Sequence, residues 1–211
     1  MRVIAIDGPA GAGKSTVSKA VAARLDLPYL DTGAMYRAVT LAVLRRQIDP
    51  DDNEAVAAVA RDMALHIDDH GVIVDGVDGT AAIRGPQVTA LVSKVAANPG
   101  VRADLVQRQR AWAAETGGGV IEGRDIGSVV FPDAELKVYL TASPRERARR
   151  RAVEAGGDID EIEASIAARD HFDSTRDDSP LTEARGSAYV DTDHRSIDEV
   201  VDAIVQLLEA S

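Results

Sequence analysis

Apolar and polar positions along this chain change period repeatedly, and those changes mark out its elements. Residues 2–7, "RVIAID", are apolar at Val3, Ile4 and Ile6 with no solvent-facing alternation, as in a buried parallel strand. A glycine-rich turn follows, then a helical pattern from about Lys14 to Leu25 that stops at "DLP". A short "YL" strand leads into a second helix over about 33–46, with Asp31 and Thr32 as candidate N-caps. Residues 49–62 read as turn and capping residues followed by an Ala/Val helix. Over 65–84 short β-branched runs broken by Asp-Gly dipeptides predict a small antiparallel unit. Helical spacing returns from Pro86 to about Trp112, interrupted at "NPG" (98–100).

Two further buried strands are expected in "GGGVIEGRD" (117–125) and "ELKVYLTA" (135–142). Ser143, Pro144 and Glu146 form a capping-box pattern with proline where its missing N–H does no harm. The helix they open is broken by "AGGD" (155–158) and succeeded by another over about 159–172. "SAYVDTD" is the last strand, and Ser196 with Glu199 opens a final amphipathic helix. Strands alternating with helices predict an α/β protein with a five-stranded, mostly parallel sheet, plus an insertion containing a β-hairpin.

Composition narrows the function. Hydrophobic residues are 45% and charged residues 28% of the 211, an ordinary globular balance, and aromatics are only 3%, so the core must be aliphatic. With no cysteine there are no disulfides, thiolate metal sites or thiol nucleophiles. No apolar run approaches the roughly 18 residues of a membrane span, and the N-terminus does not read as a signal peptide, so a cytoplasmic, soluble chain is expected. The net charge of −11 repels a nucleic-acid backbone, so no nucleic-acid partner is expected. Yet twenty of the twenty-four basic residues are arginine, the side chain suited to bidentate phosphate contacts. That combination suggests small phosphate-bearing ligands.

The strongest chemical signal is Gly8-Pro9-Ala10-Gly11-Ala12-Gly13-Lys14-Ser15-Thr16. It matches G-x-x-x-x-G-K-[ST] and lies directly after a buried strand and at the opening of a helix. Glycines let consecutive N–H groups approach phosphate oxygens, and the helix N-terminus adds a favourable dipole. Lys14 suits the β- and γ-phosphates, and the Ser15 hydroxyl suits Mg²⁺. None of the four lysines is followed by x-D, so the guanine signature of a GTPase is missing. A helicase or transporter ATPase would normally need a larger chain or many partners, so a kinase acting on a small acceptor is favoured over a hydrolysing switch or motor. An ATP-binding regulatory protein without transfer activity is the alternative of a different class.

Arg147, Arg150 and Arg151 recur at i, i+3 and i+4 and share a helix face ahead of the Gly156-Gly157 break. Any arginine stripe of this kind can be an ordinary solvated face. Here its position suits a mobile lid, at about 150–160, that brings positive charge to a transferring phosphoryl group and excludes water. An acceptor that is already a phosphate needs no strong general base, and the four histidines are read as surface or packing residues.

The segments "IDGPAGAGKST", "DTGAMYRAVTL", "SKVAANPGVRADLVQRQR", "EGRDIGSVVFPDAELKVYLTAS", "RDHFDSTRDDSPL" and "YVDTD" together resemble the bacterial cytidylate kinases, in order and over nearly the whole chain. The resemblance implies a single kinase domain over 1–211 that passes the γ-phosphoryl of ATP, with Mg²⁺, to CMP or dCMP. The expected fold is a three-layer α/β/α domain of the P-loop type with an acceptor region at about 33–97, and a monomer is expected. Thr32 and Arg37 would bind the acceptor nucleotide, Arg37 at its phosphate; Ser93 and Arg102 would read the cytosine ring. Arg124 would contact the acceptor phosphate and Asp125 the base edge, where a carboxylate accepts from the exocyclic amine. Asp173 would hold the ribose and Arg176 a phosphate, with Arg169 one helical turn before Asp173. Lys14, Arg124, Arg147, Arg150, Arg151 and Arg176 form the expected catalytic set. Ser128 and the "DTDHR" tail depart from the commoner pattern of such kinases without touching these positions. A related small kinase acting on UMP, AMP or a non-nucleotide acceptor is the alternative.

Overall fold

In a computed structural model of the chain, which describes residues 1–68, 70–176 and 178–210, the strand pattern becomes two compact units: residues 1–31 with 112–211, and residues 32–111. Asp69, within the expected stretch 65–84, and Asp177, within "RDHFDSTRDDSPL", lie outside the described residues.

The first unit is built on strands β1 (Arg2–Asp7), β2 (Tyr29–Asp31), β6 (Gly118–Gly123), β7 (Leu136–Thr141) and β8 (Ala188–Asp191), in the order β2-β6-β1-β7-β8. Every pairing is parallel. β1 is central and apart from Arg2 is fully buried, and β6 is buried throughout, which is why both read as continuous rather than alternating apolar runs. Helices α1 (Lys14–Leu25) and α8 (Ile197–Glu209) cover one face. There Val17 and Val21 of α1 and Val200, Val201, Ile204 and Leu208 of α8 pack on Ile4, Ile6, Val120, Val138, Leu140 and Val190. The aliphatic core expected from the composition is this layer.

The parallel register sets the chemistry of the sheet's carboxyl edge. Asp31 of β2 lies beside Glu122 of β6, and Glu122 lies beside Ile6, so Asp31 and Asp7 end their strands and Glu122 stands one residue before the end of the strand between them. After β6 the chain makes a π-type turn over Ile126–Val130, in which both Val129 and Val130 donate their N–H groups to the carbonyl of Asp125. Ligands of open α/β sheets bind outside such carboxyl ends.

Helices α6 (Pro144–Ala155) and α7 (Ile159–Thr175) form an antiparallel pair after β7. Ser143 caps α6 by accepting from the Glu146 N–H at 3.4 Å, but the Glu146 carboxylate accepts from Arg149 and Arg150 and does not complete the reciprocal box expected from sequence. Ser196 and Glu199 do complete theirs. Between α6 and α7, Gly156 and Gly157 take positive φ of 73° and 106°.

The second unit contains α2 (Thr32–Arg45), α3 (Asn53–Asp62), strands β3 (Leu65–Asp68), β4 (Gly71–Val74) and β5 (Val77–Asp78), then α4 (Pro86–Ala96) and most of α5 (Pro99–Thr116). The stretch 65–84 is antiparallel as expected, but its three strands, ordered β3-β4-β5, run into a short 3₁₀ turn at Ala82–Arg84. The break at 98–100 is held by Asn98, whose side-chain oxygen accepts from the Gly100 and Val101 N–H groups and so caps α5. That helix runs one turn past the expected end.

Candidate active site

The loop of residues 8–13 joins β1 to α1, whose first turn carries Lys14, Ser15 and Thr16. Its first glycine is dictated by space: with φ 151°, a Cβ on Gly8 would stand 1.9 Å from the Leu140 carbonyl oxygen. Gly13, at φ 84°, ends the loop in the left-handed conformation that turns the chain into α1. It has no side chain to cap the helix, and the first turn carries no acidic residue, so the opening N–H groups of α1 remain for an anion. Lys14 is buried, and its ammonium donates to the Pro9 carbonyl at 2.9 Å, bent back over the loop. Burial, and next the positive charge of Arg124, push its pKa down to about 7; Glu122 and Asp7 work against them. A buried lysine deprived of water and facing other cations lacks a negative partner of matching strength, which a polyphosphate supplies.

Ser15 follows Lys14, and its hydroxyl is hydrogen-bonded to the Glu122 carboxylate, which also accepts from the Tyr29 phenol. Burial and the neighbouring Asp31 carboxylate raise the pKa of Glu122. A hydroxyl, a buried carboxylate and a second carboxylate in adjacent register are hard oxygen donors with negative charge in excess, a set that fits a hard divalent cation beside Ser15. Among the described residues no cluster of three or more His, Asp or Glu side chains is by itself arranged as a metal site.

Arg124 and Asp125 leave β6 at the same edge. Arg124 Nε donates to Asp173 Oδ2 at 3.1 Å, and Arg169 lies 3.9 Å from that same oxygen. Arg176 Nη2 is 3.9 Å from Asp125 Oδ1, and its guanidinium also donates to the Ser179 carbonyl. Asp125, Asp173 and the Arg176 side chain are nearly sealed from solvent. Burial, then repulsion from Arg124, lowers the pKa of Arg169. The structure therefore brings together Lys14, Arg124, Asp125, Arg169, Asp173 and Arg176. Their charge runs positive around Lys14.

The expected lid arginines divide. Arg147 is buried and donates to the Ala10 carbonyl and the Ala142 carbonyl, each at 3.0 Å, and to Asp170. Asp170 in turn accepts from the Ala10 N–H at 3.2 Å, so this pair grips the phosphate loop. Arg150 donates to the Thr192 hydroxyl and carbonyl, at 2.9 and 2.8 Å. Arg151 is exposed and pairs with Glu154. In the second unit Thr32 is buried at the start of α2, and Arg37 donates to the Ile83 carbonyl at 2.9 Å and the Thr89 hydroxyl at 3.0 Å. Ser93 is half-buried on α4, and Arg102 is buried with its guanidinium 5.6 Å from the Tyr36 ring centre. All four histidines are exposed.

Sequence reasoning missed Asp7, Tyr29, Glu122 and Asp170. The first and third had a legible signal: each is the lone charge in the carboxyl half of its strand, after an apolar run. Tyr29 and Asp170 had none, because their partners are distant in sequence.

A parallel sheet whose central strand feeds a glycine-rich loop, a buried lysine and a helix N-terminus defines a P-loop α/β protein. Within that class, the cytidylate kinase family model matches residues 4–210, and the chain belongs to that family. It is similar to the cytidylate kinase of Corynebacterium efficiens, 50% identical over 218 residues that cover 99% of this chain and 95% of that protein. It is also similar to the bifunctional pantoate ligase/cytidylate kinase of Parasynechococcus marenigrum, 52% identical over 219 residues, or 99% of this chain. The chain spans 44% of the length of that bifunctional relative. In fold it is similar to an uncharacterised protein of Eubacterium ventriosum, with a TM-score of 0.59, 13% identity and 100% of both chains covered. Among the described residues no helix is long and apolar enough to cross a membrane.

Proposed function

We propose that this chain transfers the γ-phosphoryl group of ATP to CMP or dCMP, giving ADP and CDP or dCDP. One observation carries the reading: the buried Lys14 over the phosphate loop stands in the field of Arg124 and Arg169, which are themselves tied to Asp173. Three cations held in a carboxylate frame suit two polyanions that must approach each other.

In the reaction a phosphate oxygen of the acceptor attacks the γ-phosphorus, and the bond from that phosphorus to the β-phosphate oxygen breaks. Lys14 neutralises charge between the β- and γ-phosphates, and Arg124, Arg169 and Arg176 neutralise the acceptor and transferring groups. The acceptor phosphate already carries the attacking oxygen as an anion, so the chain supplies position and charge rather than a base. Ser15, held by Glu122, would bind the Mg²⁺ that accompanies ATP, whose contribution is charge neutralisation at the two outer phosphates. Asp125 accepts from the cytosine amine and Asp173 from sugar hydroxyls. In the second unit, Thr32 and Arg37 serve the acceptor nucleotide, and Ser93 and Arg102 its ring. The reading takes 1–211 as one kinase domain with its acceptor region at about 33–97. The lid at about 150–160 contains the positive-φ Gly156 and Gly157, which supports a hinge there. We take the protein to act as a cytoplasmic monomer in pyrimidine nucleotide metabolism.

A coupled assay of ADP release over CMP, dCMP, UMP, AMP and no acceptor tests the proposal. CMP and dCMP should give the highest kcat/KM. Equal ADP release without acceptor would make the chain a hydrolase, and a preference for UMP or AMP would move it to a related kinase.

A further inference from the structure

Asp7 takes no part in the roles assigned above, yet it is 3% exposed at the carboxyl end of the central strand. Its neighbour on one side is Gly8, the first residue of the phosphate loop. Its carboxylate spends both oxygens on two consecutive amides of a different segment: Oδ1 accepts from the Ile126 N–H at 2.8 Å and Oδ2 from the Gly127 N–H at 2.7 Å. Those amides directly follow Arg124 and Asp125. On its other side the turn is also confined, since a Cβ on Gly127 would stand 3.0 Å from Lys137 carbons and 3.3 Å from the Ala184 Cβ.

Asp125 is therefore fixed from three directions. Strand β6 delivers it, its own carbonyl accepts from the Val129 and Val130 N–H groups, and the two residues after it are clamped to β1. Its backbone, at φ −147° and ψ 23°, is neither strand nor helix, so local conformation alone does not hold it. Burial pushes the pKa of Asp7 up to about 6, and the like charge of Asp125 adds to this, against the two amides and Lys14. A carboxylate kept in so unfavourable a place has to be doing something that an apolar residue could not.

We infer that Asp7 is a positioning residue for acceptor specificity: by clamping the Ile126 and Gly127 amides to the strand that bears the phosphate loop, it aligns Asp125 with the base of the acceptor. The inference rests on the proposed role of Asp125 in reading cytosine. It explains how one buried side chain makes the donor cradle and the acceptor-reading turn a single rigid piece.

The test is steady-state kinetics of Asp7→Asn, Asp125→Ala and the double variant with CMP and UMP. Asparagine keeps one acceptor oxygen but turns an N–H donor toward a second N–H. In Asp7→Asn the KM for CMP should rise about tenfold or more, within the ~10²-fold that a misplacement of about 1 Å costs. The CMP/UMP ratio of kcat/KM should narrow, with the KM for ATP changed less than about twofold. In the Asp125→Ala background Asp7→Asn should add less than about twofold, because coupled residues are non-additive. An unchanged CMP/UMP ratio in Asp7→Asn, or an undiminished effect in the Asp125→Ala background, overturns the inference and leaves Asp7 as a structural strut. A wild-type protein that does not prefer CMP would instead overturn the proposed function.

Should Asp7→Asn fail to fold, the wild-type protein answers the same question. The charged groups that act on Asp7 there are Lys14 from α1 and Asp125 from the turn. Lys14 serves both acceptors alike, and both acceptor phosphates titrate alike, so these cancel in the CMP/UMP ratio. That ratio should narrow as pH falls from 7.5 to 5.5, through the range in which Asp7 takes a proton. A ratio constant over that range overturns the inference.

Discussion

Arg124 and Asp173 are joined at 3.1 Å although 49 residues separate them. The spacing of Asp173 and Arg176 suggests an ordinary pair within one helix, but each points instead at the residue pair that leaves β6: Asp173 at Arg124, and Arg176 at Asp125. Two acids and two bases thus cross between α7 and the end of a strand. Truncating one partner strands the other. Asp173→Ala should lower unfolding stability by about 1–3 kcal/mol, the range for a buried group left unpaired. At about 2–4 °C per kcal/mol for a chain of this length, thermal denaturation resolves that loss. The KM for CMP should rise as well, because Arg124 and Arg169 lose the carboxylate they share. An unchanged midpoint would show the pair to be worth no more than an exposed one.

Lys14→Met should separate catalysis from stability. Loss of a preorganised charge on the transferring group costs about 2–4 kcal/mol in the barrier, so kcat should fall roughly 30- to 1000-fold. The empty protein should nevertheless become more stable near neutral pH. The Lys14 pKa is lowered from 10.5 to about 7 on folding, so the stability this group contributes is present above 10.5 and is lost as pH falls to 7. Calorimetry without nucleotide should therefore show the variant melting above the wild type at pH 7, by at least about 2 °C. The gap should narrow at pH 9.5. A variant that melts lower at pH 7 would mean the Pro9 hydrogen bond outweighs desolvation.

Base selection should fail at one residue. Asp125→Ala removes the acceptor for the cytosine amine, and discrimination by one such contact is worth about 1–3 kcal/mol. The CMP/UMP ratio of kcat/KM should narrow about tenfold, while the KM for ATP stays within about twofold. If stability falls and the ratio holds, Asp125 serves only to seat Arg176.

The arginines of α6 should give two distinct phenotypes. Arg147→Ala strips two carbonyls and Asp170 of their partner around Ala10 and should both lower the melting temperature and raise the KM for ATP. Arg151→Ala breaks only an exposed pair with Glu154, which contributes about 0–1 kcal/mol. Its melting temperature should hold while kcat falls, because its proposed role is exercised only with the lid closed. Equal kinetics for Arg151→Ala and wild type would remove Arg151 from the catalytic set.

What the order of residues determined by itself is local. The buried strand of residues 2–7, the glycine loop with Lys14 and the start of α1, the Asn-Pro break before α5 and the Ser196–Glu199 cap all leave a signal within a few residues, so periodicity, motif spacing and cap chemistry suffice to read them, although the partners of that strand are distant in sequence. Arg124, Asp125, Asp173 and Arg176 could be singled out by their resemblance to a family, but not paired. Pairing was decided by the parallel sheet, whose register sets the carboxyl ends of β2, β6 and β1 side by side and gathers Asp31, Glu122 and Asp7 at one edge. α7 shows why pattern alone stops short. Its face of Ile166, Arg169, Asp170 and Asp173 includes three charged side chains that find partners in the loop, in α6 and beyond β6, so hydrophobic period is silent about which way they point. A buried charge is placed by the opposite charge or the N–H that awaits it, and that partner is brought within 3 Å only when the chain has folded.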